Sequence, residues 1–423
     1  MFRYVAALVA AASCAAIAHA REAGTESRQM SGPLLTLDEA VALAGGSAPA
    51  AEAAAADVDA AHAARRVAGL RPNPALSVEV ENFAGTGPYN GINGADVTAS
   101  VAIPLELGGK RQARVAVADA ATHRAQIARA VSEADIRLQV TELYIQASAA
   151  EVRVAIAEDQ YRIAGDTARA ATIRVQAGRA SPLEQERAEV ARLTAEAGAY
   201  KARRLADTAR ANLARRVGRL VVGPLDIAVL GGPGNGTTGP PRPISAAGTL
   251  ALAAADADLR AADAGVQLAR SQRVPDVTVG PGVRRLEATN DVAAVLSVSV
   301  PLPLFNNGRA AVDQANAERR RADAQRRITA LDVEQAISDA EVEATNAAAA
   351  ARVASGPALS AAMEAARIAR IGYSEGKFGQ LELLDAERTL TEMRSASIEA
   401  LASYRLAKAR LERLTAPAPI KGN

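Results

Sequence analysis

Two hydrophobic periods share this chain. Leu76, Val78 and Val80 alternate with Ser77, Glu79 and Glu81, and Val97, Ala99, Val101 and Ile103 alternate with Thr98, Ser100 and Ala102. Period two predicts two strands, each with one apolar and one polar face. At about 9–11 residues each, they have the length that crosses a bilayer when tilted. The Gly/Asn-rich run from Gly85 to Gly94 joins them. A second pair is predicted over Val277 to Leu286 and Ala293 to Val300, where Leu296, Val298 and Val300 alternate with Ser297 and Ser299. Pro275 opens it, and Pro301 and Pro303 close it.

Around the strands the period is helical. Thr36-Leu37-Asp38-Glu39 has the capping-box pattern, so a helix is expected from there to about Leu70, where Arg71-Pro72-Asn73-Pro74 stops it. From Lys110 to about Gln176 there is no proline, and Gly165 is the sole glycine. Such a helix is roughly 100 Å long at 1.5 Å per residue. Val131, Leu138, Ile145 and Val152 recur every seven residues, and Ile156 and Ile163 continue after a shift of four, a stutter in a coiled-coil pattern. Gly178-Arg179-Ala180-Ser181-Pro182 makes a turn. Ser181 with Glu184 reads as a second capping box, and a return helix runs to about Val217. Ser245 is the expected cap of a helix to about Arg273. A long helix follows Gly308, Gly376-Lys377-Phe378-Gly379 forms a second tip, and a last helix ends near Leu414.

The plan is therefore stated twice. Pro74 corresponds to Pro275, Gly109 to Gly308, Gly178 to Gly376 and Glu184 to Glu382, at separations of 198 to 201 residues. An internal duplication of this period divides the chain into repeats 36–217 and 245–414, a Gly/Pro-rich linker 218–244 and a tail 415–423. Residues 1–20 read as a bacterial-type signal peptide: Arg3, an apolar run from Val5 to Ile17, and Ala18-His19-Ala20 for cleavage. An extended lead-in, 21–35, follows. The lone cysteine, Cys14, falls inside the signal. Ala11-Ala12-Ser13 before it lacks the usual leucine of a lipidation site, so lipidation is not expected.

Composition sharpens this picture. Apolar residues are 49% of the chain, yet aromatics are 3% and tryptophan is absent, so the apolar content is largely alanine, which favours long, closely packed helices. No apolar run after the signal is long enough for a membrane helix, so any spanning must be done by strands. Four strands cannot close a barrel, and an open edge cannot sit in lipid. Three copies would give twelve strands, an even count within the outer-membrane range. The expected fold is mainly α with a small β part: long helical hairpins forming a barrel, plus four transmembrane strands per chain in a trimer.

Net charge is +2, which argues against nucleic acid. His19 lies in the signal, and His62 and His123 lack cysteine or nearby histidine partners in the sequence. Gly231-Gly232-Pro233-Gly234 is not followed by the Lys-Ser/Thr of a phosphate loop. No catalytic, cofactor-binding or metal-ligating residue is assigned, and enzyme activity is not expected.

Arg71-Pro72-Asn73-Pro74-Ala75-Leu76-Ser77, Ser299-Val300-Pro301-Leu302-Pro303-Leu304-Phe305-Asn306 and the two glycine-centred tips resemble the TolC-like outer-membrane efflux family over essentially the whole mature chain. Val80-Glu81-Asn82-Phe83-Ala84-Gly85 and Arg284-Arg285-Leu286-Glu287-Ala288-Thr289-Asn290-Asp291 are similar to its cobalt–zinc–cadmium resistance (CzcC-like) branch. The resemblance implies a homotrimeric passive duct in the bacterial outer membrane, reaching through the periplasm to an adaptor (membrane fusion) protein and an inner-membrane RND pump, with heavy-metal cations as cargo. It further implies that the adaptor meets the tips, at Gly178, Arg179, Ser181, Gly376, Lys377 and Phe378. The periplasmic gate is implied at Glu184, Tyr373, Glu382 and Asp385, where Phe378 stands in place of the basic gate residue of some relatives. Glu184 and Glu382 also fit plain helix starts. Ducts for drugs or type I protein secretion share the scaffold. A periplasmic coiled-coil adaptor or structural protein would share the helices but has no need of duplicated spanning strands.

Overall fold

The computed structural model describes residues 33–221, 223–234 and 245–419. The expected signal peptide with Cys14, most of the lead-in, residues 235–244 of the linker and residues 420–423 of the tail lie outside the described residues.

The chain begins with α1 (Leu37–Ser47) and α2 (Pro49–Ala68). The expected capping box is present: the Glu39 amide donates to Thr36 Oγ1 at 3.3 Å, and the Thr36 amide to Glu39 Oε2 at 3.2 Å. The single helix expected from Thr36 to Leu70 is instead two, divided at Ala48, which is extended (φ −74°, ψ 124°). Pro49 explains the break, since its ring disfavours a helical residue before it and it starts the next helix well.

β1 (Ala75–Glu81) and β2 (Asp96–Leu105) follow, then α3 (Lys110–Gln176) and α4 (Pro182–Val217). α3 runs 67 residues. The second half gives α5 (Leu250–Ser271), β3 (Val277–Leu286), β4 (Asp291–Ser299), α6 (Arg309–Val353), α7 (Leu359–Ser374) and α8 (Gln380–Leu414). Thr249 rather than Ser245 caps α5, its Oγ1 accepting from the Leu252 amide at 3.3 Å. The long helix after Gly308 is not continuous. Between α6 and α7, Ala354–Ala358 form a widened π turn in which Gly356 leaves helical geometry (φ −107°, ψ −105°) and Pro357 has no amide hydrogen to give.

The strands form one antiparallel sheet in the order β1-β2-β3-β4. β1 has only seven residues, shorter than expected, because Asn82 turns into the left-handed region (φ 57°). Directly opposed residues share a face, so the register gathers Leu76, Val78, Val80, Val101, Val283, Leu296 and Val298 on one side. All seven are solvent-exposed in the single chain, Leu76 at 75% and Leu296 at 69%. The opposite side carries Ser77, Glu79, Thr98, Ser100, Arg284 and Ser297. β1 and β4 are the sheet's two edges.

Beneath the sheet α2, α3, α5 and α6 pack side by side, and farther down the order becomes α4, α3, α8, α7. The main core lies at mid-height, where Leu35, Ala40, Ala44, Val140, Tyr144, Leu213, Val217 and Leu225 are buried together. Tyr144 organises it. Its hydroxyl donates to the Leu35 carbonyl at 2.6 Å and accepts from the Asp226 amide at 2.8 Å, and burial pushes the phenol up to about 12. The segment expected as a bare linker is therefore partly fastened: Arg210 donates to the carbonyls of Val221 (3.2 Å) and Gly223 (3.1 Å) and pairs with Glu151. Tyr144→Phe should leave Asp226 N–H and Leu35 C=O with only their mutual bond of 3.3 Å, costing about 0.5–1.5 kcal/mol. A thermal melt by circular dichroism in detergent should show a lower midpoint; an unchanged one removes Tyr144 as the fastening of this core.

Candidate functional site at the hairpin tips

Each helical hairpin ends in the same backbone device. After α3, Gly178 is left-handed (φ 71°), its amide donating to Val175 O at 3.0 Å and the Arg179 amide to Arg174 O at 2.8 Å. After α7, Gly376 (φ 74°) donates to Tyr373 O at 3.1 Å and the Lys377 amide to Gly372 O at 2.8 Å. These paired bonds are the Schellman closure of a helix, for which a left-handed glycine is favoured. Neither glycine has an atom within 4 Å of where a Cβ would stand. The tips are thus open to solvent, and only backbone conformation selects glycine there.

The side chains at the two tips differ. Arg179, Ser181 and Lys377 are exposed, with Lys377 Nζ 2.6 Å from Glu375. Phe378 folds back on Gly372 so closely that its ring occupies the place of a Cβ there, yet 42% of Phe378 remains exposed. Its aromatic character therefore has an intrachain cause in addition to any docking role.

The expected Ser181–Glu184 capping box is absent: Ser181 makes no side-chain cap bond, and the Glu184 amide donates to the Ser181 carbonyl instead. Glu184 is engaged elsewhere. Tyr373 Oη donates to Glu184 Oε1 at 3.1 Å, Gln380 Nε2 donates to the Glu184 carbonyl at 2.9 Å, and Arg174 approaches the carboxylate at 3.9 Å while stacking 4.8 Å from the Tyr373 ring centre. Burial, and then the Glu184 bond, raise the Tyr373 phenol above its ordinary value. Two of the four gate candidates, Glu184 and Tyr373, are thus brought together across the two hairpins. The other two are not: Glu382 and Asp385 are exposed on α8, and the Glu382 carboxylate lies over Gly379 at its own helix start.

Sequence reasoning missed Arg174, Gln380 and Gly372. It also missed a buried carboxylate, Glu387, 4% exposed and held in a two-pronged pair by Arg370, with Nη2 to Oε2 at 2.8 Å. Their separation of 17 residues straddles the Gly376 tip, so folding the hairpin on that glycine would have placed them face to face. Farther up, Arg394–Asp159 and Arg153–Glu399, both 2.8 Å, and Thr391 Oγ1 donating to Gln160 at 2.6 Å, tie α8 to α3.

Among the described residues no group of three or more His, Cys, Asp or Glu is arranged to hold a metal ion, and no helix is long and apolar enough to cross a membrane. His62 and His123 are less isolated than their sequence positions suggest. They line one cavity of about 700 Å³ with Arg65, Asp119 and Arg260, and His123 Nε2 accepts from Arg260 at 2.8 Å.

The outer membrane efflux protein family matches residues 41–219 and 245–416. The chain is 32% identical to the cobalt-zinc-cadmium resistance protein CzcC of Cupriavidus metallidurans over 87% of its own length and 86% of that protein's. It is 31% identical to the nickel and cobalt resistance protein CnrC of the same organism over 66% of this chain and 67% of that one. Its fold is similar to that of the outer membrane protein VceC of Vibrio cholerae, with a TM-score of 0.71 and 20% identity over 90% of this chain and 96% of that one.

Proposed function

From the premise that the chain belongs to the outer membrane efflux protein family, we propose that it is one third of a passive export duct for heavy-metal cations. Family and fold are those of channels and not of enzymes. The observation that carries the reading is the exposed apolar face of an open four-stranded sheet set on long helices. In water that face is unfavourable; against lipid it is satisfied, provided that the edges are closed. Residues 36–217 and 245–414 act as two copies of one unit, so that a chain contributes two similar sectors of the wall.

Closure falls to further copies of the chain. The outer helices carry uncovered apolar residues: Leu183, Val190, Leu193 and Tyr200 along α4, and Leu331, Val342, Val353 and Ile368 along α6 and α7. A head-to-tail neighbour would join β4 to β1 and cover both helical edges, and rotation about a threefold axis closes the ring at twelve strands. Metal cargo is favoured over drugs or proteins by the likeness to CzcC, which extends over 87% of the chain. The tips at Gly178, Arg179, Ser181, Gly376, Lys377 and Phe378 meet a periplasmic adaptor that links the duct to an inner-membrane RND pump. Glu184 and Tyr373 hold the mouth shut by joining the hairpins, and threefold rings of Glu382 and Asp385 draw cations towards it.

The first test is the native mass of the species extracted by detergent from outer membranes. A trimer is the expected result. A soluble periplasmic monomer would overturn the duct and promote the coiled-coil adaptor in its place.

A further inference from the structure

Arg284 and Arg285 are the only basic residues in the four strands, and they point to opposite sides of the sheet. Arg285 is opposed by Val97 and Val292 and shares the apolar face; Arg284 is opposed by Thr98 and Ala293 and shares the polar one. That polar face also carries Glu79, Glu81, Asp96 and Asp291. Four carboxylates thus stand against one guanidinium, an excess of three negative charges per chain.

The guanidinium is held in place. Nη2 donates to Glu81 Oε2 at 2.8 Å, and Nε donates to Thr98 Oγ1 at 2.9 Å. Arg284 therefore reaches from β3 across β2 to β1. Thr98 beneath it is only 7% exposed, on a face whose neighbour Glu79 is open to solvent. Asp96 is met by Asn82 Nδ2 at 3.1 Å, whereas the Glu81 charge is offset by a full positive charge. All of this sits at the hairpin end of the sheet, farthest from the helices. The two stretches resembling one branch of the family in sequence, Val80 to Gly85 and Arg284 to Asp291, meet in this ion pair.

We propose that the Glu81–Arg284 pair sets the ion selectivity of the barrel lumen at its outer end: Arg284 cancels Glu81 and holds the cation preference created by Glu79, Asp96 and Asp291 to an intermediate level. This rests on the reading that the polar face lines the lumen of a closed barrel. Rings of one charge sign in a confined, low-dielectric wall focus the field on passing ions, so a single charge repeated in every chain has leverage on which ions pass.

The test is the zero-current potential of the full duct in planar bilayers under a potassium chloride gradient. Arg284→Gln should move it towards the cation-selective limit and Glu81→Gln in the opposite direction, each changing the cation-to-anion permeability ratio by ~2-fold or more. Arg284→Lys and the double variant Arg284→Gln/Glu81→Gln keep the same net charge and should stay near the parent. A merely structural role for the pair predicts that both single variants, which break the same bond, shift alike. Shifts in one direction, or none, would overturn the proposal while leaving the duct intact. A parent protein that opens no conductance would overturn the duct reading and this inference with it. If Arg284→Gln fails to assemble, Glu81→Gln is read against Glu79→Gln, which removes the same charge from the same face without breaking the pair and should shift the potential alike; a shift with Glu81→Gln only would overturn the proposal.

Discussion

In planar bilayers the double variant Tyr373→Phe/Glu184→Gln is expected to spend more time open, and to carry a higher mean current per duct, than the parent. Tyr373 Oη to Glu184 Oε1, 3.1 Å, is a direct side-chain bond between α7 and the start of α4, and the carboxylate also faces Arg174 at 3.9 Å. A hydrogen bond to a carboxylate contributes on the order of 1.5 kcal/mol. With one in each of three chains, its loss shifts the closed-to-open balance by roughly 1,000-fold. Phe and Gln keep the packing under the Arg174 guanidinium while removing the hydroxyl and the charge. Conductance unchanged from the parent would show that the contact joins the hairpins without governing the mouth.

Gly376→Trp should abolish metal resistance in a host that depends on this duct while leaving trimers intact. The left-handed backbone at Gly376 (φ 74°) disfavours any side chain, by about 1–2 kcal/mol, and that penalty is local to the tip. The larger effect is steric. Nothing lies within 4 Å of the Cβ position, so an indole there projects outward into the space a docking partner needs. Gly376→Ala carries the same backbone penalty without the bulk and should keep most of the resistance. The comparison separates a distorted turn from a blocked surface. Full resistance with tryptophan in place would remove the tips as the docking site.

What could be read from sequence divides by the range of the interactions involved. The strands were legible because Leu76-Ser77-Val78-Glu79-Val80 alternates in a pattern that one buried and one wet face requires, and the tips because Gly178 and Gly376 recur at matching places. The capping role expected of Glu184 fails because its partner in space, Tyr373, lies 189 residues away: a carboxylate that satisfies the local capping pattern is drawn off by a contact that no window on the sequence includes. Glu387 was passed over for a related reason, since its burial depends on Arg370 arriving from the facing helix. Pro49 and Gly356-Pro357 were visible, but their alanine-rich flanks stay helical on both sides, so the pattern reads straight through each interruption. The contact of Phe378 with Gly372 was out of reach of the sequence because that seat is created only when the hairpin folds.

The interruption at Ala354–Ala358 gives the two hairpins unequal mechanics. α3 is an unbroken rod of 67 residues, so a sideways load on Gly178 is carried along its length to the sheet. A load on Gly376 meets a joint at Gly356-Pro357, where the helical ladder is already disturbed, and bending there gives up fewer regular backbone bonds than bending an intact helix. One hairpin has two unbroken legs, α3 and α4, and the other has one jointed leg, through α7, beside one unbroken leg, α8. An equal pull on both tips is shared between the two legs of the first hairpin and falls mainly on α8 in the second.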